Sequence, residues 1–437
     1  MFVHALVLAF TLAAPDAGAA APAPAPAATA EGPAEFIDDV KVLYQIVTCQ
    51  EGPPPEPLDA KTVEAYCARM KPKFDGFRTK WVEKASPFLV SLHSKDAPRE
   101  LVYPFGGGDL MMALATFPEA TPITTLSLEL AGDPRRVRTL KEPKKLADAL
   151  AAINGASTST LVSNDSLSKN LSKVQRGDLP GQLSMHLMGL ALNGFEPVSV
   201  RYFRIEDDGA LHYYSLKEIA AQDDKTAASF SKDWKQPDFS PAFANVEVQF
   251  VPKGQPNAAR RIHRHIGADL SDDGLKKAPG VLKYLEAKGH VSAMTKAASY
   301  LMWRGDFATI RNYLLEHADF MMSDSTGVPV RYWQKIGYTI EAYGTFDKAF
   351  LNTTEAFQRE LREVYAKKSY ALPMRFGYPD GSDKSRSHLI IVRKPGAQLP
   401  DVYPAVTTGG KTPATDGGTP APPPKPAPKA EDGGVKK

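Results

Sequence analysis

Four consecutive residues, Gly106-Gly107-Gly108-Asp109, form the stretch of this chain best suited to hold a ligand. Without a Cβ, glycine lets the backbone approach a polar or anionic group closely, and a helix starting just beyond offers unpaired N–H groups. The apolar run Leu101–Phe105 precedes the glycines and an apolar, helix-like run follows through Phe117. A second strand-like run, Ile123–Leu130, carries Glu129 near its end, where nucleotide-binding folds place the acid that grips a ribose. With a carboxylate from Glu129 or Asp324, such a turn could serve a hydrolase or transferase on a degenerate nucleotide-binding or methyltransferase-like core. The detail departs from that pattern. FGGGD is neither G-x-G-x-x-G nor a P-loop, because no Gly-Lys-Ser/Thr follows. Asp109 can equally cap its helix, leaving the three glycines to make only a tight turn.

His263 and His265, in RRIHRHIG, would point the same way from an extended segment and could then hold a metal. No third ligand lies nearby in sequence; His212 or a carboxylate would have to arrive through folding. A basic, solvated edge that discourages strand pairing explains the segment more simply, so no metal is expected. His186 sits on the otherwise apolar run Leu183–Leu192 and reads as a core histidine. Ser323–Gly327 and Asp380–Asp383 bring oxygens near glycines, but neither has calcium-loop spacing, and turn chemistry accounts for both. Ser325 lies in no G-x-S-x-G elbow. Lys296, Tyr300, Trp303, Arg304 and Asp306 suit either a pocket lining or a buried element with a polar exit.

The elements that must position these residues follow from periodicity. Strand, glycine turn, helix and strand predict an α/β fold: a mixed, mostly parallel sheet with flanking helices and a Rossmann-like core. An N-terminal helical pair precedes it. Ile37, Val40, Leu43, Tyr44 and Val47 share one helical face, and Asp59 is placed to cap a second helix carrying Val63, Tyr66, Cys67 and Met70. Asp207-Asp208-Gly209 between two alternating runs signals a hairpin. Pro143, Pro279 and Asn352 suit helix starts, Gly155–Ser172 reads as a loop or lid, and Leu372–Tyr378 and His388–Arg393 read as closing strands.

Composition sets the context. The chain has 437 residues and a net charge of +3, which gives no reason to expect nucleic acid. Residues 1–21 have the short apolar stretch and small residues of an export signal. An Ala/Pro linker (22–34), a helical subdomain (35–95), an α/β core (96–400) and a disordered Pro/Ala/Lys tail (401–437) complete the division, with no transmembrane helix in the mature chain. The two cysteines, Cys49 and Cys67, lie on consecutive helices joined by prolines, so export predicts a disulfide between them. Closing a loop of about 18 residues is worth roughly 3 kcal/mol in the chain-entropy model.

The stretches YPFGGGD, KAASYLMWRGDFATIR and SDSTGVPVRYW resemble those of uncharacterised exported bacterial proteins. The resemblance spans about Ala97 to Lys394 and implies a periplasmic or secreted setting; it carries over no catalytic residue and no cofactor. The resulting expectation is a binding or structural module of the envelope, with a small ligand or an envelope component as partner. The hydrolase or transferase described above is the alternative.

Overall fold

Apolar runs bounded by turn residues build one long sheet. The strands are β1 (Leu101–Pro104), β2 (Ile123–Ser127), β3 (Phe195–Ile205), β4 (Leu211–Tyr213), β5 (Asn245–Pro252) and β6 (Arg261–Gly267), followed by β7 (Val291–Thr295), β8 (Ala318–Ser323), β9 (Thr339–Gly344), β10 (Ser369–Tyr370), β11 (His388–Arg393) and β12 (Val406–Thr408). They lie in the order β12-β10-β9-β11-β8-β7-β1-β2-β6-β5-β3-β4. The computed structural model describes residues 32–163, 178–225, 239–346, 355–376 and 387–408. The proposed signal, most of the linker, the Asn352 cap, the Asp380–Asp383 turn and the tail beyond Thr408 lie outside them.

The α/β class holds, but the sheet is not mostly parallel. Five of its eleven pairings are parallel and six antiparallel. The parallel strands form a central block, β8-β7-β1-β2-β6. Beyond it, the Asp207–Gly209 hairpin and β5 extend one side antiparallel, because tight turns return a strand beside its predecessor. On the other side β11 runs back between β8 and β9.

β1 shows why the block is central: all four of its residues are buried, as expected for a strand covered on both faces. Leu101 and Tyr103 enter one core and Val102 the other. The first core also takes the N-terminal helices Ile37–Val47 and Ala60–Phe77 and the helix Gly181–Leu192. The second takes the helices Pro279–Glu286, Ala308–His317 and Glu355–Lys367. Asp59 caps its helix, its carboxylate accepting from the Thr62 amide at 2.9 Å. The Cys49–Cys67 disulfide is present, with Cα atoms 5.5 Å apart.

Three local expectations need correction. The first residues of the supposed loop at Gly155 continue a helix, Pro143–Thr158, through Ser163; residues 164–172 are not described. The strand expected at Leu372–Tyr378 is instead Ser369–Tyr370, paired with β9, and Leu372–Phe376 is irregular. Past Pro400, Val406–Thr408 pairs with β10.

Candidate functional site

Reading the parallel block in chain order, β1, β2 and β6 build outward one way, then β7 and β8 start again on the other side of β1. The order therefore reverses between β1 and β7, and the carboxyl edge there is where doubly wound sheets open a ligand crevice. The glycine turn stands at this point. Gly106 ties it to β2, donating its amide to Leu126 O at 3.1 Å. Any Cβ at Gly106 would meet the Tyr103 ring at 2.8 Å and the Tyr103 carbonyl oxygen at 2.9 Å, so only glycine fits.

On the β7 side the turn meets charge. The Asp109 carboxylate makes no close capping hydrogen bond, although the nearby Met112 amide helps to hold its charge. Its Oδ2 accepts from Tyr103 OH at 3.0 Å and from Lys296 Nζ at 2.9 Å, and Asp109 and Lys296 are fully buried. Asp324, just past β8, is also fully buried. It accepts from the Ala297 amide at 2.9 Å, and from the Thr326 amide at 3.1 Å and hydroxyl at 2.5 Å. Burial pushes the Asp109 carboxyl up against the opposing pull of Lys296. Burial likewise raises Asp324, opposed first by its Thr326 and Ala297 hydrogen bonds.

On the β2 side the turn meets neutral imidazoles. His263 and His265 project to one face as their alternation predicts, but β6 lies inside the sheet, between β2 and β5, and both rings are fully buried. The solvated-edge reading fails for that reason: their neighbours are strands, not water. The third histidine to arrive is His186, not His212; its ring centroid lies 4.5 Å from that of His263 and 4.8 Å from that of His265. His212 is instead 2.7 Å from Glu218. Thr125 Oγ1 lies 2.9 Å from His263 Nε2 and 3.0 Å from His265 Nδ1, and His265 Nε2 donates to Glu129 O at 2.6 Å. This fixes the tautomers. With its proton on Nε2, neutral His265 accepts the Thr125 hydroxyl proton at Nδ1, so His263 Nε2 must donate to Thr125, leaving His263 Nδ1 a bare acceptor. Burial holds His265 down to about 4 and His186 and His263 well below the ordinary imidazole range. Among the described residues no group of three His, Cys, Asp or Glu has the arrangement to hold a metal ion.

The remaining candidates divide. Glu129 is at the carboxyl end of β2 as expected, but is only 2% exposed. Lys296 belongs to the site, while Arg304 and Asp306 pair with each other at the exposed surface. The three sequence stretches converge: Asp109 meets Lys296, Ala297 meets Asp324, and Trp303 Nε1 donates to Thr326 O at 3.2 Å. Tyr103 and His186 join them without any motif to announce it.

Two further features mark this edge. Among the described residues, non-glycine residues in the left-handed region are Cys49, Phe105, Ala297 and Ser325. The last three each lie within two residues of the end of β1, β7 or β8. Such backbone costs roughly 1–3 kcal/mol per residue and concentrates at functional sites. Buried polar atoms without a hydrogen-bond partner also gather on both sides of the turn: Asp109 Oδ1 and Ser323 Oγ on one, Ser184 Oγ, His186 Nδ1 and His263 Nδ1 on the other. At the opposite edge of the sheet, a cleft is lined by His93, Phe117 and Ser292 among others.

No family model, no curated protein and no solved structure matches the chain.

Proposed function

We propose that this chain is an exported envelope or extracellular binding module, which holds a small polar ligand at the carboxyl edge beside Gly106–Asp109. The observation that carries this reading is the group of buried, unpartnered polar atoms flanking the turn. Each such atom costs roughly 1–3 kcal/mol if nothing satisfies it. The left-handed backbone at three neighbouring strand ends supports the same location. Binding is favoured over catalysis because the available acids are engaged. Asp109 is held by Lys296 and Tyr103, and Asp324 is anchored by Ala297 and Thr326. The disulfide fits an oxidising compartment. Among the described residues no helix is long and apolar enough to cross a membrane.

A second reading, the hydrolase or transferase on a Rossmann-like or methyltransferase-like core, draws support from the strand order. β6-β2-β1-β7-β8 repeats the 3-2-1-4-5 order of doubly wound nucleotide folds. Against it stands the burial of Glu129.

A thermal-shift screen of nucleotides, sugars, peptidoglycan fragments and divalent metals, run on wild type and Asp109→Ala, tests the proposal. A ligand at a hundred times its dissociation constant stabilises by about 2.7 kcal/mol, and that gain should vanish in the variant. A stabilisation that persists in Asp109→Ala moves the site elsewhere; turnover of a nucleotide from the panel favours the second reading.

A further inference from the structure

The chemistry of the unpartnered atoms narrows the ligand class, an inference that rests on the site proposed above. Asp109 Oδ1 and His263 Nδ1 can only accept hydrogen bonds. A ligand that satisfies such atoms must bring donors.

Charge points the same way. Asp109 and Asp324 both feel the one ammonium of Lys296, and all three are fully buried. Tyr103, between the two acids, stays neutral because burial drives its phenol well above the ordinary range. The nearest outer cations are already matched, Arg304 by Asp306 and Arg331 by Glu360, while Arg311 spends its guanidinium on the Met302 and Arg304 carbonyls. Among the described residues Lys296 is the cation set against both acids, and a phosphate beside them would be repelled.

Aromatic rings adjoin the turn. Phe105, on its left-handed backbone, faces Phe307 at 5.8 Å, while Trp303 packs on Phe357 at 4.1 Å; Phe105, Phe307 and Trp303 are half-buried. These rings already meet cations: the Arg331 guanidinium lies 5.1 Å from the centre of Trp303, and that of Arg304 5.9 Å from Phe307.

We infer that the site takes a small organic ammonium ion, its charged group against Asp109 Oδ1 and its apolar part on Phe105 and Phe307. An ammonium supplies three donors, no acceptor and a positive charge to set against the acids.

Isothermal titration with three four-carbon probes of matched length decides it: 1,4-diaminobutane, 1,4-butanediol and succinate. The diamine should bind, the diol and the diacid should not, and Asp109→Asn should weaken the diamine at least about tenfold, the equivalent of one hydrogen bond to a charged group. Should Asp109→Asn lose its cooperative unfolding transition, Phe105→Gly replaces it, since it removes the ring and relieves the left-handed backbone. That variant should bind the diamine about threefold more weakly while remaining folded. Diamine affinity unchanged in the folded variant overturns the inference. Binding of the diol or the diacid that depends on Asp109 overturns the ammonium class but leaves the site standing. No binding of any probe overturns the ammonium inference; the site proposal then falls only if the wider thermal-shift screen also finds no ligand that depends on Asp109.

Discussion

The two flanks of the glycine turn meet burial in opposite ways. On the β7 and β8 side, Asp109, Lys296 and Asp324 keep charges out of water by pairing and by backbone hydrogen bonds. On the β2 and β6 side, His186, His263 and His265 avoid charge altogether by remaining neutral. The lesson is that one strand can separate two environments with opposite responses to protons and to charge removal. The charged flank is the one the proposed ammonium would complete.

The sharpest break in this comparison is Lys296→Met. It leaves two buried acids without their shared cation and should cost about 3–5 kcal/mol in urea unfolding at neutral pH. Adding Asp109→Leu should recover part of that loss, whereas no such rescue exists on the histidine flank.

Acid separates the flanks by sign. His265 binds a proton near 6.5 when unfolded but only near 4 when folded. Its contribution is full above about 6.5 and is lost as pH falls towards 4, up to about 3 kcal/mol. The carboxyls of Asp109 and Asp324 are raised, so the folded state holds their protons more tightly. They oppose the histidine trend, adding stability as pH falls towards the ordinary carboxylate range. Urea unfolding from pH 7 to 4 should therefore show a loss in wild type that shrinks in His265→Gln and steepens in Asp324→Asn.

Smaller effects refine the picture of the turn itself. Gly106→Ala forces the Tyr103 ring aside and should cost about 1–3 kcal/mol, read as a lowered melting temperature. Ala297→Gly removes left-handed strain at φ 54° and should stabilise by about 1 kcal/mol while leaving the Lys296–Asp109 pair intact.

Much of the scaffold was legible in the sequence, and little of the site. The glycine turn, the strand before it and the helix after it follow from local apolar patterning. So do the Asp207–Gly209 hairpin and the Asp59 cap, because turn and capping chemistry act over a few residues. Sheet direction was misjudged because β11 is inserted next to β8, a pairing across some 70 residues that no local signal records. The Lys296 partner of Asp109 was hidden for the same reason, being 187 residues away. His263 and His265 were seen as a pair facing one way, but alternation cannot say whether a strand is an edge or has neighbours on both sides.

The account turns on a ligand at the carboxyl edge of β1 and β7. A crystal structure with the compound that gives the largest thermal shift tests it most directly. We expect that compound within hydrogen-bond distance of Asp109 Oδ1, beside Phe105 and Ala297. A compound seated in the cleft of His93 and Phe117, with the atoms around the glycine turn unchanged, would contradict it.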